Sequence, residues 1–143
     1  MKLTKAWFML GFISLMGMAL VMKGAAPASV RVGGTSLRAN GELARGYAYT
    51  GGCPVDLKFS WGLIATEPTT ASYSFTRSDG SHPPGGSVDL PGGRSKPVYL
   101  DWRLGANTPK FATYQGWVEL NVDSPNPVSQ KISFTLHCGS GVM

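Results

Sequence analysis

The fold is decided by residues 53–65, which read Cys-Pro-Val-Asp-Leu-Lys-Phe-Ser-Trp-Gly-Leu-Ile-Ala. Large apolar side chains occupy every odd position from Cys53 to Leu63, and polar or small residues occupy most of the positions between them. Side chains of a β-strand point alternately to its two faces, so this pattern predicts a strand with one buried face and one solvent-exposed face. An alternation this long requires a sheet around the strand and an apolar layer to cover it.

The same period of two recurs along the rest of the chain in shorter stretches. Six further strands are predicted in this way, and they cover residues 46–50, 70–78, 87–90, 98–104, 118–122 and 132–138. The 19 glycines and 10 prolines separate these stretches, as at the Asp79-Gly80 turn, and no window has sustained helical spacing. About seven short strands with frequent turns predict an all-β fold, an antiparallel sandwich of two sheets.

The chain has two cysteines, and both lie on the apolar faces of their predicted strands. Cys53 has the phase of Val55, and Cys138 has the phase of Phe134 and Leu136. Two strands whose sulfurs point into one core meet the geometric requirement for a bridge. In an oxidising compartment two cysteines indicate first a single disulfide, so we expect a Cys53–Cys138 bond.

Residues 1–28 have the composition of a secretory signal peptide. Two lysines form a basic start, residues 7–22 form an unbroken apolar run, and small residues follow up to Ala28. This order is typical of a cleaved export signal, with the cut after Ala28. The alternative is an uncleaved membrane anchor, although 16 apolar residues are fewer than the about 20 that a span requires. We therefore expect an extracytoplasmic protein, secreted or periplasmic, with no stable membrane span once the leader is removed.

Removal of the leader changes the charge balance of the chain. The full sequence has a formal net charge of +5, but three of its 13 basic residues lie in the leader, which leaves 10 against 8 acidic residues and a net charge of +2. No cluster of Lys and Arg remains to follow a phosphate backbone. A nucleic-acid partner is therefore not expected.

The exported part divides near residue 45. Residues 29–45 are small, polar and interrupted by glycine, which predicts a linker or a loosely paired edge segment. Residues 46–143 carry the alternating pattern and form the predicted sandwich domain.

Short motifs within residues 46–138 resemble those of a known class of domain. They are Gly51-Gly52-Cys53-Pro54, Arg77-Ser78-Asp79-Gly80, Gly116-Trp117-Val118, Ser124-Pro125-Asn126 and Leu136-His137-Cys138. With these motifs the chain resembles the immunoglobulin-like and fibronectin type III-like sandwich modules of exported bacterial proteins. The resemblance implies an immunoglobulin-like sandwich, but it carries over no functional residue, because such modules share a scaffold and not a site. The chain departs from the antibody pattern in that its second cysteine lies on the final strand.

Residues that could support catalysis are few. Of the two histidines, His82 lies in a proline-rich loop, and His137 has the outward phase of the last strand, next to Cys138. Neighbouring residues on a strand point to opposite faces, so His137 and Cys138 cannot easily share a metal ion. No Gly-x-Ser-x-Gly nucleophile motif, calcium-binding loop or evident carboxylate pair is present. We therefore expect no enzymatic activity, no catalytic residue, no metal and no cofactor.

Aromatic residues with an outward phase give the one lead to a binding surface. Trp61 and Trp102 have the phase of the core, whereas Trp117 and Tyr99 are out of phase with the apolar residues of their strands. Trp117 and Tyr99 are therefore the candidate ligand-binding residues, able to stack on a sugar ring or to anchor a partner protein. The alternative is that Trp117 lies beneath a loop or beneath residues 29–45.

The function that these observations favour is an exported, non-enzymatic binding module whose partner is a protein or another component of the cell envelope. A carbohydrate-binding module that uses Trp117 and Tyr99 is the alternative. A small extracytoplasmic hydrolase or metalloprotein, with its site in the loops around His82, is the third hypothesis.

The leader should be removed on export, so that the mature chain begins at Ser29. N-terminal sequencing of protein recovered outside the cytoplasm should read Ser29 first, because signal peptidase cuts after a small-residue site. Recovery of membrane-bound protein that still begins with Met1 would contradict cleavage and support the anchor.

Overall fold

The computed structural model describes residues 27–105 and 113–139. The predicted leader, except for its last two residues, lies outside them. The elements in chain order are β1 (Val30–Ala39), β2 (Glu42–Leu43), a 3-10 helix (Arg45–Tyr47), β3 (Ala48–Gly51), β4 (Val55–Ala65), β5 (Thr69–Arg77), β6 (Gly86–Leu90), β7 (Lys96–Leu104), β8 (Thr113–Ser124) and β9 (Val128–Cys138). No helix in the described part of the chain is long and apolar enough to cross a membrane.

The nine strands of these residues form two sheets that pack face to face. The four-stranded sheet has the order β2-β1-β4-β7, and the five-stranded sheet has the order β3-β9-β8-β5-β6. The prediction of an all-β sandwich of two sheets is confirmed. The structure has two strands more than the seven predicted, and both of them, β1 and β2, lie within residues 29–45.

Residues 29–45, for which the sequence predicts a linker or a loosely paired edge segment, form strands β1 and β2. β1 pairs with β4 along its length, and β2 pairs only with Arg38 and Ala39, so these residues form the edge of the four-stranded sheet and not a linker. The register of β1 shifts between Val32 and Gly34, so the buried side chains change from the even position Val30 to odd positions such as Leu37. A bulge inserts one extra residue and breaks the period of two, which conceals the strand in the sequence. The sandwich therefore begins at Val30 and not at residue 46.

The chain crosses from one sheet to the other between β2 and β3. Gly46 and Tyr47 have positive φ angles of 68° and 56°, and this left-handed pair turns the backbone out of the four-stranded sheet. The Tyr47 hydroxyl lies 2.7 Å from Thr35 Oγ1 and donates to the Thr35 carbonyl at 3.2 Å, which fastens the turn to β1. β3 then runs parallel to β9. The five-stranded sheet is therefore mixed, whereas the sequence predicted antiparallel sheets throughout.

Side chains from both sheets meet in one apolar layer. Every odd-numbered residue of β4 is buried, as its alternation predicts. Trp61 and Trp102 are both buried, and the Trp61 Nε1–H donates to the Gln130 carbonyl of the opposite sheet at 3.0 Å. Phe59 and Phe134 face each other across the layer with ring centroids 5.4 Å apart. The core assignment of the two tryptophans is confirmed, and the buried indole N–H of Trp61 has the partner that burial requires.

The predicted Cys53–Cys138 disulfide is present and joins the two sheets at one end of the sandwich. Cys53 lies just before β4 and Cys138 is the last residue of β9, with their Cα atoms 5.4 Å apart. Gly105 packs closely against the bridge, because a Cβ at this position would lie 2.7 Å from the Cβ of Cys53. The two cysteines are 85 residues apart in sequence. A cross-link over that distance restricts the unfolded chain strongly.

Replacing both cysteines, as in Cys53→Ala/Cys138→Ala, should lower the free energy of unfolding by about 4.5 kcal/mol, since the chain-entropy model gives that value for a loop of this length. Urea denaturation of the parent and the double variant without reductant measures the difference. The parent unfolded in the presence of reductant is the control and should behave as the double variant does. Equal midpoints for the oxidised parent and the double variant would show that the bond adds no stability.

Candidate functional site

Trp117 lies in β8, on the outer face of the five-stranded sheet. It is half-buried, whereas its neighbours Gly116 and Val118 are buried on the inner side. Its backbone N–H donates to Ser78 Oγ at 3.1 Å, and its carbonyl accepts from the Ser78 N–H at 3.0 Å. The Lys131 ammonium lies 4.1 Å from the centroid of its ring, a cation–π contact that covers part of the indole. The aromatic surface is thus held on a strand that is paired on both sides.

A shallow depression of about 320 Å³ lies beside Trp117 on this face. The 3-10 helix, β8 and β9 form it together, and the register of β8 and β9 places Trp117 opposite Ser133 and Gln115 opposite Thr135. Its lining residues are Gly46, Tyr47, Gln115, Gly116, Trp117, Ser133, Phe134 and Thr135. The depression therefore combines three aromatic residues, one side-chain amide and three hydroxyl residues, of which Tyr47 counts among both, and none of its lining residues is charged.

The polar side chains of the depression differ from others on the same face. Farther along β8, the Asn121 side chain donates to Thr76 Oγ1 at 3.1 Å and accepts from Ser129 Oγ at 2.9 Å, so these groups satisfy one another. In the depression, the Gln115 amide and the Ser133 and Thr135 hydroxyls make no side-chain hydrogen bond with any described residue. Their hydrogen-bonding capacity is therefore open to water or to a ligand.

Tyr99 lies on the other side of the molecule, on the outer face of the four-stranded sheet. It belongs to β7, is 54% exposed, and has the Lys58 ammonium 5.2 Å from its ring centroid. Trp117 and Tyr99 consequently stand on opposite outer faces and cannot form one aromatic platform, which corrects the prediction that placed them together. Each has the outward phase expected from its strand, but phase alone does not tell which sheet the strand joins.

Arg77, which the sequence marks only as part of a turn, covers one margin of the core. Its guanidinium carbon lies 4.4 Å from the Trp102 ring centroid, its Nε donates to Ser81 Oγ at 2.6 Å, and its Nη2 donates to Asp79 Oδ2 at 3.1 Å. Hydrogen bonds from the Ser81 hydroxyl and then from its backbone N–H, with the nearby Arg77 charge, hold the pKa of Asp79 below its usual value. The sequence signal for this role is the inward phase of Arg77, which lies opposite the buried Val118.

The histidines and Cys138 do not come together as a reactive site. His82 and His137 are exposed, and His137 Nδ1 lies 3.2 Å from the Thr113 hydroxyl. Cys138 is in the disulfide, so its sulfur is not a thiolate that could bind a metal. Within residues 27–105 and 113–139, no three His, Cys, Asp or Glu side chains are grouped to hold a metal ion. That the chain has no catalytic residue stays a prediction.

Comparison with solved structures shows distant likenesses to 11 chains, among them the two that follow. No family model matches the chain, and no curated protein matches it in sequence. The CARDB domain of a Pyrococcus furiosus protein, solved in complex with di-metal ions, has a TM-score of 0.45 at 10% identity, over 78% of this chain and 94% of that one. The alkylpurine DNA glycosylase AlkC of Pseudomonas fluorescens, bound to DNA containing an abasic site analog, has a TM-score of 0.42 at 16% identity. That match covers 84% of this chain but 33% of the glycosylase chain, and neither likeness bears on function.

Asp79→Asn should flatten the acid dependence of stability. A carboxyl group whose pKa is lowered by folding stabilises the protein above its unfolded pKa of about 3.9, and this contribution is lost as the pH falls through the folded pKa. The parent should therefore lose stability below about pH 4 more steeply than the variant. Because the Asp79 side chain is 38% exposed, solvent screening keeps the difference below about 1 kcal/mol.

Thermal melts of both proteins at a series of acidic and neutral pH values measure this difference. Asp123→Asn is the matched control, since it makes the same change of charge at the exposed end of β8, away from the turn. Parallel profiles for the parent and Asp79→Asn would show that the turn does not couple to stability.

Proposed function

We propose that this chain is an extracytoplasmic, non-enzymatic binding module that holds a protein or another envelope component at Trp117. The observation that carries the proposal is the surface beside this residue. The half-buried ring of Trp117 stands next to a depression in which the Gln115, Ser133 and Thr135 side chains make no side-chain hydrogen bond with any described residue, whereas the Tyr47 hydroxyl is bonded to Thr35. Binding sites concentrate such aromatic anchors together with a few placed polar groups.

The rigidity of the surroundings supports the same proposal. β8 is paired on one side with β9 and on the other with β5, so the backbone under Trp117 is fixed by two ladders of hydrogen bonds. The Tyr47 hydroxyl fastens the opposite wall of the depression to β1. A preformed site loses little conformational entropy when it binds a ligand. It therefore binds more favourably than a surface that must first become ordered.

The cellular location is part of the proposal. A disulfide between Cys53 and Cys138 is expected of a protein that folds in an oxidising compartment. The basic, apolar and small-residue order of residues 1–28 supports export to such a compartment. We also place the sandwich among the immunoglobulin-like modules, a proposal supported by its two-sheet architecture and by the strands that occupy all seven predicted positions within residues 46–138.

The rival hypotheses have less support. A carbohydrate-binding platform made jointly of Trp117 and Tyr99 is contradicted by their positions on opposite faces, so a sugar could be bound only by one of the two residues. A hydrolase or metalloprotein site around His82 finds no grouped metal-ligand set in the described residues.

Trp117→Ala should weaken binding to a native envelope fraction by about 2 kcal/mol or more, because a central aromatic anchor would be lost. It should change the free energy of unfolding by only about 1 kcal/mol or less, since the ring is on the outer face. Trp61→Ala should instead cost about 3–5 kcal/mol of stability through a core cavity. Quantitative retention of the envelope component on immobilised protein measures the first effect, and thermal melts measure the other two.

The matched control is Tyr99→Ala, which removes an exposed aromatic from the opposite face and should leave binding unchanged. If Trp117→Ala destabilises as much as Trp61→Ala, Trp117 is a packing residue and the proposal fails. Unchanged binding by a folded Trp117→Ala variant would refute the proposal equally.

A further inference from the structure

We infer that the depression beside Trp117 takes a neutral sugar ring, so that the envelope component bound by this module is a neutral glycan. This inference rests on the proposed function, and it names the chemical class of the ligand. Four properties of the depression carry it: charge, aromatic surface, hydrogen-bonding inventory and access to the backbone.

The charge of the depression favours a neutral ligand. None of its lining residues is charged. The nearest charged pair in the strand register is Glu119 opposite Lys131, and this pair lies on the other side of Trp117 from Gln115 and Thr135. The Lys131 ammonium is engaged with the indole ring. A carboxylate or phosphate placed in the depression would therefore find no cation among the lining residues, and the nearby Lys131 ammonium is already held over the indole.

The aromatic surface suits the apolar face of a sugar. A pyranose ring presents C–H hydrogens with a small positive charge on its flat faces, and an indole ring presents a negative π face to them. Trp117 borders the depression, so a ring seated there can contact the part of the indole that Lys131 leaves uncovered. The volume of about 320 Å³ lies near the lower end of small-molecule sites, roughly 300–1,000 Å³. A single sugar unit with part of its neighbour is a ligand of suitable size.

The hydrogen-bonding inventory matches sugar hydroxyls. The Gln115 side chain offers two donors and an acceptor, and the Ser133 and Thr135 hydroxyls each offer a donor and an acceptor. All three lack a side-chain partner among the described residues, whereas Asn121 on the same strand has two. A sugar hydroxyl is also both donor and acceptor, so it can form a hydrogen bond with any of these groups.

The depression lies on the face of the sheet and not along its edge, which argues against an extended peptide as the ligand. Peptides that add to a sheet gain affinity from main-chain hydrogen bonds along an open edge. The depression lies on the face of β8 and β9, where β8 is paired with β5 and β9, and β9 is paired with β8 throughout but with β3 only from Thr135 to Cys138. A peptide lying across it would have only side-chain contacts.

The test is isothermal titration calorimetry of the exported chain with neutral hexasaccharides of glucose, mannose and galactose, and with hexagalacturonate. The galactose and galacturonate probes differ in the oxidation of C6, so they form a matched neutral and acidic pair. At least one neutral probe should bind with a Kd of about 1 mM or tighter. If galactose hexasaccharide binds, hexagalacturonate should bind at least about tenfold more weakly.

Two variants locate the binding. Trp117→Ala removes the aromatic wall, and Gln115→Met/Thr135→Val keeps the shape of the depression but removes its amide and one hydroxyl. Each should weaken sugar binding about tenfold or more while the melting temperature of the double variant stays close to that of the parent. Thr50→Val is the matched control, because Thr50 is an exposed hydroxyl residue on β3 of the same sheet. It should bind as the parent does.

The inference is overturned if no neutral probe binds, if hexagalacturonate binds as well as its neutral counterpart, or if the double variant binds as well as the parent. In any of these cases the proposed function stands only if the Trp117→Ala variant does not bind the native envelope component. If that variant keeps both its fold and the envelope component, the proposed function fails with the inference.

Discussion

The contact of Trp61 with the opposite sheet is the interaction on which the other features of this sandwich depend. The indole is fully buried, its N–H is bonded to the Gln130 carbonyl, and its ring centroid lies 5.5 Å from that of Phe75. These partners belong to β9 and β5 of the five-stranded sheet, whereas Trp61 belongs to β4 of the four-stranded sheet. One side chain therefore sets how the two layers lie on each other, and the polar end of the indole makes that position specific.

The N-terminal strand β1 links the packing of the two sheets to the surface beside Trp117. β1 covers one side of β4, and the turn that follows carries the chain across to the edge of the five-stranded sheet. Tyr47 in this turn is tied to Thr35 of β1 and also lines the depression beside Trp117. A segment whose sequence predicts only a linker or an edge segment, with the turn that follows it, thus contributes both to the core and to the candidate site. Loss of β1 would expose β4 and remove one wall of the depression together.

The polar side chains beside Trp117 differ from those elsewhere on the two outer faces, and this contrast defines the candidate site. On the four-stranded sheet, Ser36 and Ser60 bond to each other beside Tyr99. On the five-stranded sheet, Asn121 joins its neighbours in the same way, but the residues around Trp117 do not. The hydrogen-bonding capacity of the polar side chains beside Trp117 is therefore open to water or to a ligand. The distinction lies in the network of hydrogen bonds and not in composition, since both faces are rich in hydroxyl groups.

The sequence by itself determined the all-β class, the buried face of β4, the core positions of Trp61 and Trp102, and the pairing of the two cysteines. It could do so because the period of two is a local property of an extended backbone, readable within one strand. Only the tertiary structure decided that β1 is a strand, since the bulge near Gly34 breaks that period. It also decided that Trp117 and Tyr99 are on opposite faces and that the depression joins residues 46–47, 115–117 and 133–135. Sheet membership depends on hydrogen bonds between strands far apart in sequence, and no local pattern records which strands will pair.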